Sequence, residues 1–343
     1  MLLSIIVPVY NMAKDQKLNH CIDSLINQTI KDYEIIAVDD CSSDNSLEIL
    51  RDYEKRYKGK IRVLQNEINK RQGGARNTGL RASNAVYVGF MDADDWAAPT
   101  MYEKLVNKAI LTGADFVGCD FSKVSSYTFE PGEIEINNTA EQCGVLDDDK
   151  YRLHILSSGS MVVKIYERKI LMENDLFFPE DIFYEDNAAA EIWPLYFKHF
   201  EHVDEPLYFY YTVPESTTHS VTWDRCVDRK TAGEIMITEL KKRGFYEKYK
   251  NEIDYRFTEL FYQVTLFSYM YSGKRRRIKN IRNLKKDFLE SCPDYRTNPY
   301  YEERMGEEDK KLIELHMKSD FLFYFYYILL FSYRKFIKKL RKK

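Results

Sequence analysis

The stretch VYVGFMDADDW at residues 86–96 joins a short apolar run directly to three carboxylates. The run from Val86 to Met91 is typical of a buried strand. Asp92, Asp94 and Asp95 follow at once, and such close carboxylates repel one another unless a positive group holds them. The stretch therefore predicts a strand that presents an acidic site at its carboxyl end.

Apolar runs alternate with segments of helical periodicity on both sides of this stretch. The predicted strands are Leu3–Val9, Glu34–Val38, Ile61–Leu64, Val86–Met91 and Asp115–Cys119, and the predicted helices are Leu18–Ile26, Leu47–Tyr53, Gly73–Ala82 and Thr100–Leu111. Alternation at this spacing predicts an α/β fold, with a mainly parallel sheet and helices on both of its faces.

Polar residues end four of the predicted strands. They are Tyr10-Asn11, Asp39-Asp40, Asn66-Glu67 and the acidic stretch 92–95. Because ligands of parallel sheets bind beyond the carboxyl ends of the strands, we expect all four clusters to meet at one edge. The sequence therefore predicts one ligand site that is lined by carboxylates.

The acidic character of this edge narrows the kind of ligand. No Gly-x-Gly-x-x-Gly follows the first strand, which disfavours a dinucleotide-dependent dehydrogenase. Carboxylates can face a phosphate when Mg²⁺ or Mn²⁺ lies between them. Asp39 or Asp40 could instead hydrogen-bond a ribose or a base, and strand-end residues such as Asp44 could simply cap the helices that follow.

Composition and charge exclude other classes of protein. With 44% hydrophobic and 31% charged residues, the 343-residue chain has the composition of a soluble globular protein. A formal net charge of -3 argues against a generally basic nucleic-acid binder, so we expect no nucleic-acid partner. The six cysteines are scattered, and the first residues lack the charged segment of a signal peptide. Both features favour a cytoplasmic protein with free thiols.

Five motifs, in order, resemble those of the family 2 glycosyltransferases, whose nucleotide-sugar fold is called GT-A. They are SIIVPVYN (4–11), SLINQT (24–29), IAVDDCSSD (36–44), GARNTG (74–79) and FMDADDW (90–96). The likeness is close over residues 1–120 and looser to about residue 220. It implies a bacterial surface-polysaccharide enzyme. Such an enzyme moves a sugar, with inversion, from a nucleotide diphosphate sugar, usually a UDP-sugar, to a hydroxyl of a glycan or lipid-linked glycan.

The resemblance also implies roles for the donor-site residues. Pro8, Tyr10 and Asp39 would frame the nucleobase, Arg76 would approach the diphosphate, Asp92 and Ala93 would lie at the ribose, and Asp94 would bind Mn²⁺ or Mg²⁺. Asp95 would hold these donor-site residues in position without contacting the ligand itself. The family often has Gly where Cys41 stands, and we expect the turn to form without it.

A second acidic pair lies in FYEDN at residues 183–187 and resembles the family's acceptor-side Glu-Asp motif. There a carboxylate deprotonates the incoming hydroxyl. We assign Asp186 as the base and Glu185 as a residue that orients the acceptor or the base. The alternative is a pair that only stabilises a helix N-terminus. His219, on a polar loop, is a candidate late metal ligand, and a solvated histidine is the alternative there.

The C-terminal third departs from the family pattern. We divide the chain into a catalytic domain at 1–220, a helical region at 221–317 and an aromatic and basic tail at 318–343. As a helix, the apolar run 321–331 would reach only about 17 Å, too short for a hydrocarbon core of roughly 30 Å. Seven Lys and Arg residues follow it. They favour peripheral association with the inner face of the cell membrane over packing on the chain's own domain or on a partner subunit. The sequence leaves open whether the chain forms a homo-oligomer.

Two other functions compete with the transferase. A sugar nucleotidyltransferase would also use a metal and an α/β sheet, but such enzymes usually carry a Gly-rich basic loop after the first strand, and this chain has none there. A non-catalytic glycan-binding or scaffold protein on a decayed transferase fold is disfavoured by the intact Asp92, Asp94 and Asp186.

Overall fold

The computed structural model describes residues 1–212, 221–272 and 276–340. Two compact units form, Met1–Val213 and Pro214–Lys343. The first contains the sheet, and the described residues of the second are built from helices. The expected division of the chain after residues 220 and 317 stays a prediction.

The first unit is built around a mixed sheet of ten described strands. They are β1 (Leu3–Val9), β2 (Tyr33–Asp39), β3 (Ile61–Gln65), β4 (Tyr87–Phe90), β5 (Trp96–Ala97), β6 (Phe116–Val124), β7 (Glu133–Glu135), β8 (Gly144–Val145), β9 (Lys164–Glu167) and β10 (His199–Tyr211). The spatial order is β3-β2-β1-β4-β9-β6-β10-β5, with β7 beside β6 and β8 beside β10.

Four neighbouring strands, β3, β2, β1 and β4, run parallel to one another. All seven residues of β1 are buried, which explains its unbroken apolar sequence. β9 then enters antiparallel between β4 and β6, and β10 runs parallel to β6. The predicted α/β class is confirmed, and the antiparallel β9 is an addition that the sequence pattern did not indicate.

Seven helices are described in the first unit. They are α1 (Lys17–Ile26), α2 (Ser46–Arg56), α3 (Arg71–Ala82), α4 (Met101–Thr112), α5 (Asp148–Leu156), α6 (Arg168–Glu173) and α7 (Glu185–Ile192). The four predicted helices correspond to α1–α4 within a few residues. A Cβ on Gly79 would lie 2.4 Å from Ile6 Cγ2, so glycine lets α3 lie directly on β1. Because α3 follows β3, its N-terminus lies at the carboxyl edge of the parallel strands.

The second unit is helical where the structure describes it. Its helices are α8 (Trp223–Lys242), α9 (Lys250–Arg256), α10 (Val264–Ser272), α11 (Ile278–Ser291), α12 (Pro299–Arg304), α13 (Glu307–Lys318) and α14 (Asp320–Leu340), and a π-helical stretch, Phe257–Gln263, joins α9 to α10. The Thr222 side chain accepts from the Arg225 backbone N–H and caps α8. Within the described ranges, no helix combines the length and the apolar composition that crossing a bilayer requires.

Candidate functional site

Three neighbouring strand ends form the edge at which the predicted donor residues lie. Tyr10 follows β1, Asp39 ends β2 and Asp92 comes shortly after β4. Val9 pairs with Asp39 in register, and β1 also pairs with β4. The parallel register therefore gathers these positions at one edge of the sheet. Tyr10 is 51% exposed there, so its ring is open to a ligand.

The adjacent carboxylates Asp39 and Asp40 have different surroundings. Asp40 Oδ1 accepts from Asn66 Nδ2 at 2.7 Å and from the Lys70 backbone N–H at 2.9 Å, so Asp40 holds the loop before α3. Asp39 Oδ2 accepts from the Ser42 backbone N–H at 3.2 Å. Its Oδ1 is buried and meets no hydrogen-bond donor among the described residues. A buried acceptor of this kind is costly unless a ligand supplies the donor, which makes Asp39 the stronger ligand candidate.

Cys41 occupies the turn position at which the family often has glycine. Its φ of 64° lies in the left-handed region that glycine adopts most easily. The turn after β2 therefore forms without glycine, as expected, but with a strained backbone at Cys41.

Arg76 on α3 connects the two acidic motifs of the sequence. Its side chain is 3% exposed, and it donates from Nη2 to Asp92 Oδ1 at 2.7 Å and from Nη1 to Glu185 Oε1 at 2.8 Å. Gln72 Nε2 donates to the same Asp92 oxygen at 2.6 Å. The guanidinium carbon lies 5.2 Å from the centre of the Phe178 ring. The motif after β4 and the motif that begins α7 therefore meet in one buried, charge-assisted network.

The start of α3 packs closely against the loop that leads to α7. A Cβ on Gly73 would lie 2.2 Å from the Pro179 carbonyl oxygen, so only glycine allows this approach. Asn77 Nδ2 donates to the Phe178 carbonyl at 2.8 Å, and the Phe178 backbone N–H donates to Asn77 Oδ1 at 2.9 Å. The helix that carries Arg76 thus also fixes the acceptor-side loop.

Asp94 is a carboxylate whose ionised form a nearby cation would stabilise. Burial, followed by the charge of Asp92, raises the pKa of Asp94 to about 6, and the Lys17 ammonium acts in the opposite direction. At neutral pH the site therefore holds ionised carboxylates in poorly solvated surroundings. Oxygen ligands of this kind fit Mn²⁺ or Mg²⁺.

Asp94 is the one predicted metal ligand that lies within the described residues. Among the residues that the structure describes, no three His, Cys, Asp or Glu side chains are grouped to hold a metal ion. The other candidate ligand, His219, lies outside the described residues. Substrate phosphates and water commonly complete the coordination of Mg²⁺, so one protein carboxylate is compatible with a metal shared with a bound diphosphate.

Asp95 and Ala93 are turned towards the protein rather than towards a ligand. Asp95 accepts from the Tyr208 hydroxyl at 2.6 Å and from the Tyr211 backbone N–H at 2.8 Å, which fixes the acidic motif to β10. Burial and the charge of Asp94 raise the pKa of Asp95 well above its usual range. The Ala93 side chain is packed in the hydrophobic core, so only its backbone is left for the predicted ribose contact.

The acidic pair Glu185 and Asp186 begins α7. Burial raises the pKa of Glu185 to about 7 although Arg76 acts against it, and burial also raises the pKa of Asp186. Asp186 Oδ1 accepts the Asn187 backbone N–H at 2.9 Å. A helix N-terminus by itself would lower both pKa values. Burial therefore outweighs the helix N-terminus at both carboxylates, and a raised pKa makes a carboxylate a stronger base once it is ionised. The assignment of Asp186 as the base stays a prediction.

Three residues at this site were not among the predicted ones: Gln72, Lys17 and Phe178. Gln72 lies four residues before Arg76 on the same helix, and this spacing places both side chains on one face, so it could have been found. Lys17 and Phe178 come together with the acidic motifs only through tertiary packing, and the local sequence around them carries no comparable signal.

Sequence comparison relates the first unit to a known family. Residues 4–173 match the family described as Glycosyl transferase family 2. The protein named Uncharacterized glycosyltransferase EpsJ, from Bacillus subtilis (strain 168), is 36% identical over 222 residues, which are 63% of this chain and 63% of that protein. The chain thus spans about three fifths of the length of the curated relatives it matches.

Structural comparison agrees with the fold described above. S. aureus TarS 1-349, solved in complex with UDP-GlcNAc, superposes with a TM-score of 0.64 at 21% identity, covering 85% of this chain and 82% of that one. The mannosyltransferase PcManGT from Pyrobaculum calidifontis, solved with GDP-Man and Mn²⁺, gives a TM-score of 0.50 at 13% identity, covering 86% and 82% of the two chains. At these identities the likeness is one of fold.

Proposed function

The chain belongs to glycosyl transferase family 2, and on that premise we propose that it transfers a sugar from a nucleotide diphosphate sugar to a hydroxyl of a glycan or lipid-linked glycan. The observation that carries this proposal is the Arg76 bridge from Asp92 to Glu185. A single buried guanidinium holds the donor-side motif and the acceptor-side motif together. A fold that had lost its chemistry would have no reason to keep the buried Arg76–Glu185 ion pair, with the partly exposed Asp92 on the same guanidinium, at its cost in stability.

The donor is proposed to be a UDP-sugar. Asp39 Oδ1, buried without a protein donor among the described residues, would accept the ring N–H of a uracil. Pro8 and Tyr10 lie on the adjacent strand and its end, where they would flank the base. S. aureus TarS was solved with UDP-GlcNAc and with UDP, which supports the same nucleotide here.

A divalent metal is proposed to bind between Asp94 and the donor diphosphate. The raised pKa of Asp94 supports this, because a nearby cation would relieve the cost of its ionised form. When bound, Mn²⁺ or Mg²⁺ supplies positive charge to the departing diphosphate. PcManGT was solved with Mn²⁺, which supports the same kind of ion.

The acceptor is proposed to be activated by Asp186. Its carboxylate takes the proton of the acceptor hydroxyl as the new bond forms to the anomeric carbon. The bond from that carbon to the diphosphate breaks on the opposite side, and the diphosphate leaves with the electron pair, so the configuration inverts. Glu185, fixed by Arg76, keeps α7 and therefore Asp186 in place. Asp92, whose Oδ1 accepts from Gln72 and Arg76, would accept a hydrogen bond from a ribose hydroxyl.

The site of action is proposed to be the cytoplasmic face of the cell membrane. A lipid-linked acceptor would be found there, and an enzyme associated with that surface would meet it at high local concentration. The aromatic and basic segment 318–343 is the part of the chain that suits such an association.

Calorimetry tests the proposed donor site directly. UDP, GDP and dTDP are titrated with and without Mn²⁺ into the wild type, Asp94→Ala and the control Asp204→Ala, whose carboxylate is 93% exposed. We expect Mn²⁺-dependent binding of UDP that is lost in Asp94→Ala and kept in Asp204→Ala. Binding of none of the three nucleotides, with any metal, would place a non-catalytic glycan-binding or scaffold role first.

A further inference from the structure

Helix α14 has one side packed into the second unit. Phe323 and Tyr327 are buried on this side. The Phe323 ring lies 4.7 Å from the ring of His316 on α13, and the Tyr327 ring lies 5.7 Å from that of Phe267 on α10. These contacts fix which side of α14 faces the protein.

The opposite side of α14 is apolar and exposed. Six residues, each at least half exposed, form what we call the α14 open face: Leu322, Phe325, Tyr326, Leu329, Tyr333 and Phe336. At about 100° per residue they fall within an arc of about 100°, and at about 1.5 Å per residue the face is about 21 Å long. Single exposed apolar residues are common on proteins, but a continuous stripe of six marks a surface that something covers.

Ion pairs towards both ends of α14 hold this face outwards. Asp320, at the start of the helix, is paired with Lys285 and with Arg282 Nε, the latter at 2.8 Å. Arg334, in the last two turns, lies 2.6 Å from Glu308 on α13. The helix cannot roll its open face inwards without breaking these pairs and exposing Phe323.

The charged residues of the chain from Phe321 onwards are all basic. From Phe321 to Lys343 the chain has seven Lys and Arg residues and no acidic residue. The Tyr324 hydroxyl donates to the Arg276 carbonyl at 3.3 Å, and this bond holds the residues just before α11 beside α14. Arg277 and Lys279, in that segment, are exposed. In the sequence the apolar stripe is therefore followed by a basic segment, in which Arg334 pairs with Glu308 on α13.

We infer that the α14 open face docks on a bilayer of anionic phospholipids, with the helix lying in the plane of the headgroups. Leu and Phe side chains would enter the acyl boundary, Tyr hydroxyls would stay at headgroup depth, and the basic residues would contact lipid phosphates. The docking itself does not depend on catalysis. Its use rests on the proposed function, because it would bring the transferase to a lipid-linked acceptor.

Charge complementarity selects the bilayer over a second copy of the chain. A bilayer of anionic lipids offers an apolar interior to the stripe and negative charge to the basic residues that follow it in the sequence. In a symmetric contact each α14 would meet the same face of its partner, which supplies the apolar complement but no acidic group from Phe321 onwards. The dimer is therefore an outcome that the experiment must be able to detect.

The test is co-sedimentation of the full-length protein with vesicles. Neutral phosphatidylcholine vesicles are compared with vesicles in which about a third of the lipid is phosphatidylglycerol. The variant Phe325→Gln/Leu329→Gln changes two members of the open face that are 59% and 70% exposed. The matched control Ile110→Gln/Leu111→Gln changes two residues of α4 that are 55% and 84% exposed. Circular dichroism checks that both variants fold.

We expect the wild type and the α4 control to bind anionic vesicles and to bind neutral ones much more weakly, with high salt reducing the binding. The α14 variant should lose at least about tenfold in partition coefficient. Wild-type protein that stays in the supernatant, or an α14 variant that sediments like the control, would overturn the inference. So would light scattering that shows a dimer for the wild type and a monomer for the variant without any vesicle binding.

Nucleotide titration without lipid separates this inference from the proposed function. The α14 variant should bind UDP and Mn²⁺ as the wild type does, because its changes lie on an exposed face of the second unit. Vesicle binding without any nucleotide binding would remove the transferase proposal and leave the docking surface standing. Nucleotide binding without vesicle binding would remove the docking surface and leave the transferase proposal standing.

Discussion

The strand-edge site of the first unit and the α14 open face of the second break the usual distribution of residues in opposite ways. At the strand edge, carboxylates that prefer water are buried, and the pKa of Asp94 and of Glu185 rises to about 6 and about 7. On α14, side chains that prefer the core are exposed, with Leu329 at 70%. Both arrangements lower the stability of the isolated protein.

The comparison indicates which regions of the protein a bound ligand should stabilise. A buried carboxylate gains when a cation or a proton donor arrives, and an exposed apolar stripe gains when it leaves water. Each region should therefore respond to its own ligand. Substitutions at the strand edge should abolish chemistry and leave vesicle binding unchanged, whereas substitutions on α14 should do the opposite.

The largest expected effect is that of Asp94→Asn. Loss of the carboxylate that we propose as the metal ligand should lower turnover of the UDP-sugar by on the order of 10³-fold, since metal stabilisation of a leaving group is worth several kcal/mol. The same change should stabilise the ligand-free protein by about 1–2 kcal/mol at pH 7.5, because it removes a carboxylate whose ionised form is held against its surroundings. Nucleotide-release assays and thermal unfolding measure the two quantities.

Asp204→Asn serves as the control for this prediction, because that carboxylate is 93% exposed. It should change neither activity nor stability. An Asp94→Asn protein that is both active and no more stable than the wild type would show that the strand edge is an ordinary surface and that the contrast with α14 is mistaken.

Asp186→Asn should have the next largest effect. Loss of the base should lower transfer to the acceptor by on the order of 10²-fold while leaving UDP binding within about twofold. Calorimetry and steady-state transfer assays separate these two results. If nucleotide affinity falls in parallel with transfer, Asp186 belongs to the donor site and the assignment of the base must move.

The pH dependence of transfer should follow the acidic pair at the start of α7. Burial raises the pKa of Glu185 to about 7 and also raises the pKa of Asp186, so the rate should rise with pH as the pair ionises and level off once both carboxyls have lost their protons. The free energy of unfolding should fall over the pH range in which the rate rises. A carboxyl whose folded pKa is raised contributes stability below its unfolded value of about 4.5, and this contribution is lost as the pH rises through 7.

Rate profiles and unfolding midpoints between pH 5 and pH 8.5 check both directions. In Glu185→Gln the pH range over which the transfer rate rises should shift, because one carboxyl of the pair no longer titrates. Vesicle binding through α14 should be almost flat over the same range, since its Lys and Arg residues stay charged. A rate that is independent of pH below 7 would contradict a base in this pair.

Local sequence patterns predicted the scaffold well, for physical reasons. β1 is buried along its whole length, so its apolar run is unbroken, and the helical period of α1 and α4 reflects one buried face on each helix. The placement of DADDW after β4 follows from the same alternation. Short-range periodicity could not indicate β9, because a four-residue strand is too short to show a period, and its antiparallel pairing depends on tertiary structure.

The site was predictable as a set of positions but not as a network. Asp39 and Asp40 are neighbours in the sequence, and only the fold shows that Asn66 and Lys70 use Asp40 while Asp39 keeps a buried free oxygen. Arg76 was expected at the diphosphate, and its bonds to both acidic motifs arise from contacts across most of the first unit. The apolar run 321–331 was recognised, but its extension to a 21-residue helix with one packed side required tertiary structure.

The smallest expected effect is that of Asp39→Asn. The amide oxygen can still accept one hydrogen bond, but its NH₂ group would face either the Ser42 backbone N–H or the nucleobase N–H, and donor would meet donor. UDP should therefore bind about tenfold more weakly, which corresponds to the loss of one hydrogen bond to a charged group. Asp40→Asn is the informative partner, because it should loosen the loop before α3 and lower stability more than affinity. Equal affinity of wild type and Asp39→Asn for UDP would mean that the buried oxygen serves the fold, and the nucleobase would then have to be sought elsewhere along the strand edge.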